Sequence, residues 1–213
     1  MSDGIEIVRG KRALIRFDGA KCIHSRACVL GRPDVFVPNV EGDWIHPDAA
    51  RPEELAELAH TCPSGAIRVE PLDGSTGETP PIVNTVHVRE NGPLAIHAEM
   101  ALEGHPDVGY RATLCRCGLS KNKPFCDSSH KAGFVASGEP ATEETAALAV
   151  RGGVVSIKPA KNGPLVVSGN LELVSGTGRT LARVTKTALC RCGHSAKKPY
   201  CDGSHAKASF EAE

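Results

Sequence analysis

Along this chain hydrophobic and polar residues alternate in short runs, the period-two pattern of half-buried strands. Ile5-Glu6-Ile7 and Ala13-Leu14-Ile15-Arg16-Phe17 flank a Gly10-Lys11 turn and predict a hairpin, and Ala66-Ile67-Arg68-Val69 predicts a further strand. Between them the period changes. From Arg51 to His60, Pro52 takes a first helical position and Leu55, Leu58 and Ala59 follow at helical spacing, which predicts a helix. Beyond residue 84, Val86-His87-Val88 and Val154-Val155-Ser156-Ile157 again read as strands. The expected class is α+β: a small α+β domain followed by two small β-rich units.

The two units share an internal repeat. Asn91-Gly92-Pro93-Leu94 recurs as Asn162-Gly163-Pro164-Leu165, and Leu114-Cys115-Arg116-Cys117-Gly118 recurs as Leu189-Cys190-Arg191-Cys192-Gly193. The offset is 71 residues at the first pair and 75 at the second, so one copy carries a four-residue insertion. A Gly/Pro/Ser/Thr-rich stretch at 71–84 reads as a linker, with a weaker one at 137–145. The expected domains are therefore 1–70, then the linker 71–84, a first repeat at 85–136 and a second at 137–213.

Composition sharpens this picture. With 4% aromatic residues, 22 Gly and 15 Pro among 213 residues, the cores are thin and turns abundant. Small domains of this kind draw on metals or partners for stability. Twenty-five basic residues balance 25 acidic ones, so no global charge points to nucleic acid. No run has the apolar length of a membrane span, and Met1-Ser2-Asp3-Gly4 lacks the basic and apolar regions of a signal peptide, so a cytoplasmic location is expected. In a reducing compartment nine Cys read as metal ligands rather than disulfides. They fall into three groups of three: Cys22, Cys28, Cys62; Cys115, Cys117, Cys126; and Cys190, Cys192, Cys201.

In the repeat, each cysteine trio gains a histidine four residues after its last member: His130 in the first copy, His205 in the second. A Cys-x-Cys pair brings two sulfurs to one metal from an extended segment, and Cys-x3-His suits one helical turn. Asp127 and Asp202 stand where a helix start favours an acid, and Pro124 and Pro199 stiffen the returning loop. Two ordered copies argue against unligated core residues. Spacing alone leaves two readings: zinc held by three Cys and one His, or a [2Fe–2S] cluster with two Cys on one iron and Cys plus His on the other.

Cys201-Asp202-Gly203-Ser204-His205 is the CDGSH signature, and residues 190–205 fit C-x-C-x2-S-x3-P-x-C-D-G-S-H throughout. Residues 115–130 fit too, with Ser120 and Pro124 in place, but Ser128 replaces the signature Gly. The C-terminal half thus resembles the CDGSH iron–sulfur domain family. The resemblance implies a [2Fe–2S] cluster on Cys115, Cys117, Cys126 and His130 and another on Cys190, Cys192, Cys201 and His205. Ser128 would adopt a left-handed angle at some cost, leaving a cluster of somewhat different stability. Units of this family usually pair as dimers, so a tandem copy implies an intramolecular pseudo-dimer within a monomer.

Histidine ligation raises the potential above that of an all-Cys site and makes binding proton-dependent. Arg116, Lys121, Lys123, Arg191, Lys197 and Lys198 are placed to offset the negative charge of a reduced cluster, or to form an ordinary solvated face. Ser129 and Ser204 lie inside the ligand loops and are expected to support the sulfurs.

At the N-terminus, Cys22-x5-Cys28 followed by Cys62-Pro63-Ser64-Gly65 resembles a mono-cluster ferredoxin over roughly residues 12–70, including Pro33-Asp34-Val35-Phe36. Ser25 occupies the middle Cys position. Three Cys suit a [3Fe–4S] cluster; a [4Fe–4S] cluster needs a fourth ligand, for which His24 is the nearby candidate. His46, His60, His87, His97, His105 and His194 belong to no ligand motif of this sequence and read as ordinary surface or packing residues.

The expected function is electron transfer through three clusters by a protein that is not an enzyme: no nucleotide-binding Gly loop, nucleophile elbow or paired catalytic carboxylates occur. Its partners would be redox proteins or apo-acceptor proteins, not nucleic acid or membrane. Cluster transfer or redox and pH sensing is the alternative, and a zinc-stabilised binding module a third.

Overall fold

A computed structural model of the chain describes residues 4–213; residues 1–3 of the expected first domain lie outside the described residues. The chain divides into two compact units, the first ending at Thr79 and the second beginning at Pro80.

In the first unit, strands β1 (Ile5–Arg9) and β2 (Ala13–Asp18) form the expected antiparallel hairpin, and β3 (Ile67–Pro71) pairs with the other edge of β2. Helix α2 (Pro52–Thr61) follows a short helix α1 (Ala27–Gly31) that the hydrophobic pattern does not signal. Pro52 opens α2 because its missing N–H would be unsatisfied there anyway, and the Glu54 carboxylate accepts from the Arg51 amide at 2.9 Å. Its apolar stripe of Leu55, Ala56, Leu58 and Ala59 is buried, and α2 packs on β3. Each such leucine contributes roughly 1.5–3 kcal/mol on burial. Ile15, Phe36, Ile45 and Ile67 complete this core.

The second unit is β-rich: β4 (Thr85–Val88), β5 (Leu94–His97), β6 (Glu99–Leu102), β7 (Arg111–Leu114), β8 (Val154–Pro159), β9 (Leu165–Val174) and β10 (Thr180–Leu189), then the short helix α3 (Ser204–Lys207). All seven strands join one sheet in the order β6-β8-β9-β4-β5-β7, with β10 also on β9. The strands of the two repeats therefore interleave in one sheet. β4 runs parallel to β9 with Thr85 facing Glu172, and β8 runs parallel to β6 with Ser156 facing Ala101. Shifting by 71 residues turns Thr85 into Ser156 and Ala101 into Glu172, so each repeat lends its first strand to the other in the same register. β9 spans, as one strand, what β5 and β6 form as two. Val86, Ile96, Leu114, Ile157, Leu165, Leu171, Leu173 and Leu189 share one core.

Mixed helix and strand of this kind agree with the expected α+β class. The stretch 137–145, expected as a weak linker, is tied down: the Glu143 amide donates to the Leu181 carbonyl at 2.8 Å, and Thr145 Oγ1 accepts from the Arg183 amide at 2.9 Å. Buried Glu172 is paired with Arg151 at 2.6 Å, which keeps a desolvated charge compensated.

Candidate metal centres

β7 leads directly into Cys115, and β10 into Cys190. Each loop then returns to its own strand: the Cys115 amide donates to the Pro124 carbonyl and the Cys126 amide to the Thr113 carbonyl, both at 2.8 Å. The second loop repeats this with Cys190 to Pro199 and Cys201 to Ala188, also at 2.8 Å. The sulfurs of Cys115 and Cys117 stand 3.7 Å apart, those of Cys190 and Cys192 3.6 Å. Cys126 Sγ lies 3.3 Å from His130 Nδ1, and Cys201 Sγ 3.3 Å from His205 Nδ1. Two donors on one tetrahedral metal at ordinary bond lengths stand about 3.8 Å apart for two sulfurs and about 3.5 Å for sulfur and nitrogen. Among the described residues no three His, Cys, Asp or Glu converge as a cage for one ion; the donors come in pairs.

Backbone amides surround the sulfurs. Leu119 and His194 donate to Cys117 and Cys192 at 3.4 Å, Ser128 to Cys126 at 3.4 Å and Gly203 to Cys201 at 3.5 Å. Ser129 and Ser204, expected to support the sulfurs, instead serve the adjacent aspartates. Asp127 accepts from the Ser129 and Lys121 amides, and Asp202 from those of Ser204 and Ala196. Burial opposes the Asp127 charge, but these amides prevail and hold its carboxyl down to about 2. The Ser204 hydroxyl and amide, with the Ala196 amide, hold Asp202 well below the usual range. Two serines that the motif places but does not explain, Ser120 and Ser195, are buried and brace each loop by donating to the Phe125 and Tyr200 carbonyls at 2.6 Å.

The two motifs meet back to back, Cys117 pairing with Cys192 as an isolated antiparallel bridge. Glycine permits this. Gly118 and Gly193 have φ of +80° and +85°; a Cβ on Gly193 would stand 2.5 Å from the Cys117 carbonyl oxygen, and one on Gly118 would strike that of Cys192.

Arg116 and Arg191 belong to no solvated face. Both are fully buried. Arg116 donates to the carbonyls of Gly92, Arg89, Ala136 and Ser137, and Arg191 to those of Gly163, Ala160 and Glu213. Burial lowers both, Arg116 to about 10, while the nearby sulfur of the opposite motif, Cys190 for Arg116 and Cys115 for Arg191, acts the other way. Lys123 and Lys198 donate to the Ser120 and Ser195 carbonyls, and Lys121 and Lys197 are exposed.

In the first unit, Cys22, His24, Ser25, Cys28 and Cys62 line one cavity of about 470 Å³. Cys28 sits on α1, Cys62 caps the end of α2, and Cys22 precedes the loop. His24 Nδ1 lies 4.0 Å from Cys22 Sγ. His24 and Arg26, on either side of Ser25, both hold left-handed φ, 54° and 64°, so the loop is strained where the middle cysteine would stand.

The donor chemistry fits metal clusters. Burial pushes Cys126 up to about 11 and raises Cys28, while hydrogen bonding between Cys115 and Cys117 lowers the first, to about 6, and raises the second. A thiolate so buried gains from a bound cation. Burial also lowers His130, favouring the neutral imidazole that ligates metal.

The profile described as "Iron-binding zinc finger CDGSH type" matches residues 91–131 and 162–206, and that described as "Divergent 4Fe-4S mono-cluster" matches residues 8–70. Two relatives, each called uncharacterized protein YjdI, from Escherichia coli (strain K12) and Escherichia coli O157:H7, are 32% identical to this chain over 69 residues, covering 32% of the chain and 88% of the relative. The chain thus carries two regions that match the CDGSH iron-binding model and, ahead of them, one that matches a divergent 4Fe–4S mono-cluster domain, which together mark it as an iron–sulfur protein.

Proposed function

We propose that this protein carries electrons through two [2Fe–2S] clusters and one [3Fe–4S] or [4Fe–4S] cluster. The observation that carries the reading is the pairing of donors, Cys with Cys and Cys with His, repeated in both motifs. Two pairs serve two metal atoms, whereas a structural zinc site gathers four donors on one. Cys115, Cys117, Cys126 and His130 would hold the first cluster, and Cys190, Cys192, Cys201 and His205 the second. Cys22, Cys28 and Cys62, with His24 as candidate fourth ligand, would hold the third. The reciprocal β4–β9 and β6–β8 registers and the Cys117–Cys192 bridge support an intramolecular pseudo-dimer of the two repeats.

The bound clusters supply one-electron chemistry. The chain's own residues keep water from most of the sulfurs, aim four amides at them, and hold two buried guanidiniums near the thiolates, which favours the reduced, more negative state. Redox proteins are the expected partners. A second reading, transfer of a cluster to an apo-protein, draws on the partial exposure of Cys201.

Anaerobic iron and sulfide analysis with EPR before and after dithionite tests the proposal. Two [2Fe–2S] signals on reduction are expected, with a third signal on oxidation for [3Fe–4S] or on reduction for [4Fe–4S]. A colourless protein loaded with zinc overturns it. Mixing holo-protein with an apo-ferredoxin separates the two readings, since a carrier keeps its clusters and a donor loses them.

A further inference from the structure

The two CDGSH loops differ at five of their sixteen positions, and between the third cysteine and the histidine they differ at one alone. Ser128 stands in the first where Gly203 stands in the second. Both hold the left-handed backbone angle, φ 70° and 87°, and both donate their amide to the preceding cysteine sulfur. At Gly203 that angle is free of strain; at Ser128 it is not. A Cβ on Gly203 would meet no protein atom within 4 Å, so the second loop leaves that space open. In the first loop Ser128 places a hydroxyl there, and that oxygen is buried without a hydrogen-bond partner among the described residues.

A strained angle and an orphaned donor both cost stability, and they coincide on one side chain beside a cysteine ligand. An acceptor brought by the bound group resolves the second cost. A [2Fe–2S] cluster carries sulfur acceptors that become more negative on reduction. Resting on the cluster assignment above, we infer that Ser128 donates its hydroxyl hydrogen bond to the first cluster, and so makes the two clusters inequivalent. A donor to cluster sulfur stabilises the reduced form and raises the potential. The first cluster then fills before the second, and an electron entering the pair comes to rest beside Ser128.

Ser128→Ala keeps the Cβ and the strained angle and removes only the hydroxyl, Ser128→Gly restores the residue of the other loop, and Gly203→Ser installs the hydroxyl in the second. Each full-length holo-protein is titrated potentiometrically, with visible absorbance and EPR as readouts and iron and sulfide counted per chain. The parent should show two resolved [2Fe–2S] steps. Ser128→Ala and Ser128→Gly should lower the upper step alike, drawing the two together, and Gly203→Ser should raise the lower one. The inference falls if the parent steps coincide, if Ser128→Ala moves neither step, or if only Ser128→Gly does, which would assign the effect to the backbone. A parent without iron and sulfide overturns the cluster assignment itself; a loaded protein with unmoved potentials overturns this inference alone.

Discussion

Replacing Gly193 by Ala tests the contact on which the meeting of the two motifs depends. The residue sits at φ +85°, where an L side chain costs about 1–2 kcal/mol. Its new methyl would lie 2.5 Å from the Cys117 carbonyl oxygen and 2.9 Å from its carbon, against 3.4 Å or more for ordinary contact. Neither partner is a flexible side chain, so the backbones must part, adding roughly 1–3 kcal/mol of overpacking and about 1 kcal/mol for the lost bridge. Together the loss is about 3–6 kcal/mol, a fall in Tm on the order of 6–24 °C for a chain of this size. Gly178→Ala is the control: its φ is +98°, but no atom lies within 4 Å of the new methyl, leaving only the conformational cost and a fall of about 2–8 °C. Thermal unfolding of the full chain followed by circular dichroism measures both. Equal falls in the two variants would refute the argument, because the close approach would then carry no energy of its own.

Acidification should bleach the clusters, because protons compete with metal for imidazole ligands, and the His130→Cys/His205→Cys double variant should retain its visible absorbance at the same pH; identical loss in both proteins sinks the idea. Asp127→Ala should lower Tm by a few degrees at neutral pH, losing two charge-assisted bonds of roughly 1.5 kcal/mol each before solvent screening. Because the Asp127 carboxyl is held down to about 2, its stabilisation is present above about pH 4 and lost as pH falls toward 2, so parent and variant should converge there. Cys62→Ser should abolish the N-terminal cluster signal and leave both [2Fe–2S] signals, read by EPR. Arg116→Met should lower stability by about 2–4 kcal/mol, measured by denaturant unfolding, since four backbone carbonyls lose their donor.

The hairpin, helix α2 and the strand after Cys62 were legible because their periodicity is local: Leu55, Leu58 and Ala59 share a helical face whatever lies opposite. Helix α1 was not legible, since Ala27–Gly31 is too short to show a period. The interleaved sheet escaped for another reason. Parallel pairing of β4 with β9 joins residues far apart in the chain, and nothing in Thr85-Val86-His87 names its partner. The aspartates were read at a helix start, and each does stand just ahead of a short helical turn, but the role of Ser129 and Ser204 was not legible, because which acceptor a hydroxyl or amide finds depends on how the loop folds back.

The repeated Cys-x-Cys and Cys-x3-His spacings by themselves pointed to metal ligation, and the full signature around them to iron–sulfur rather than zinc, since ligand type and short-range reach are properties of a few consecutive residues. The Ser128 and Gly203 difference was equally visible there. Only the tertiary structure decided that Gly118 and Gly193 let the two motifs touch, that Arg116 and Arg191 are buried donors to backbone carbonyls, and that Cys22, His24, Cys28 and Cys62 share one cavity. Each of those facts depends on which distant segments exclude water together, and a linear pattern of residues does not carry that information.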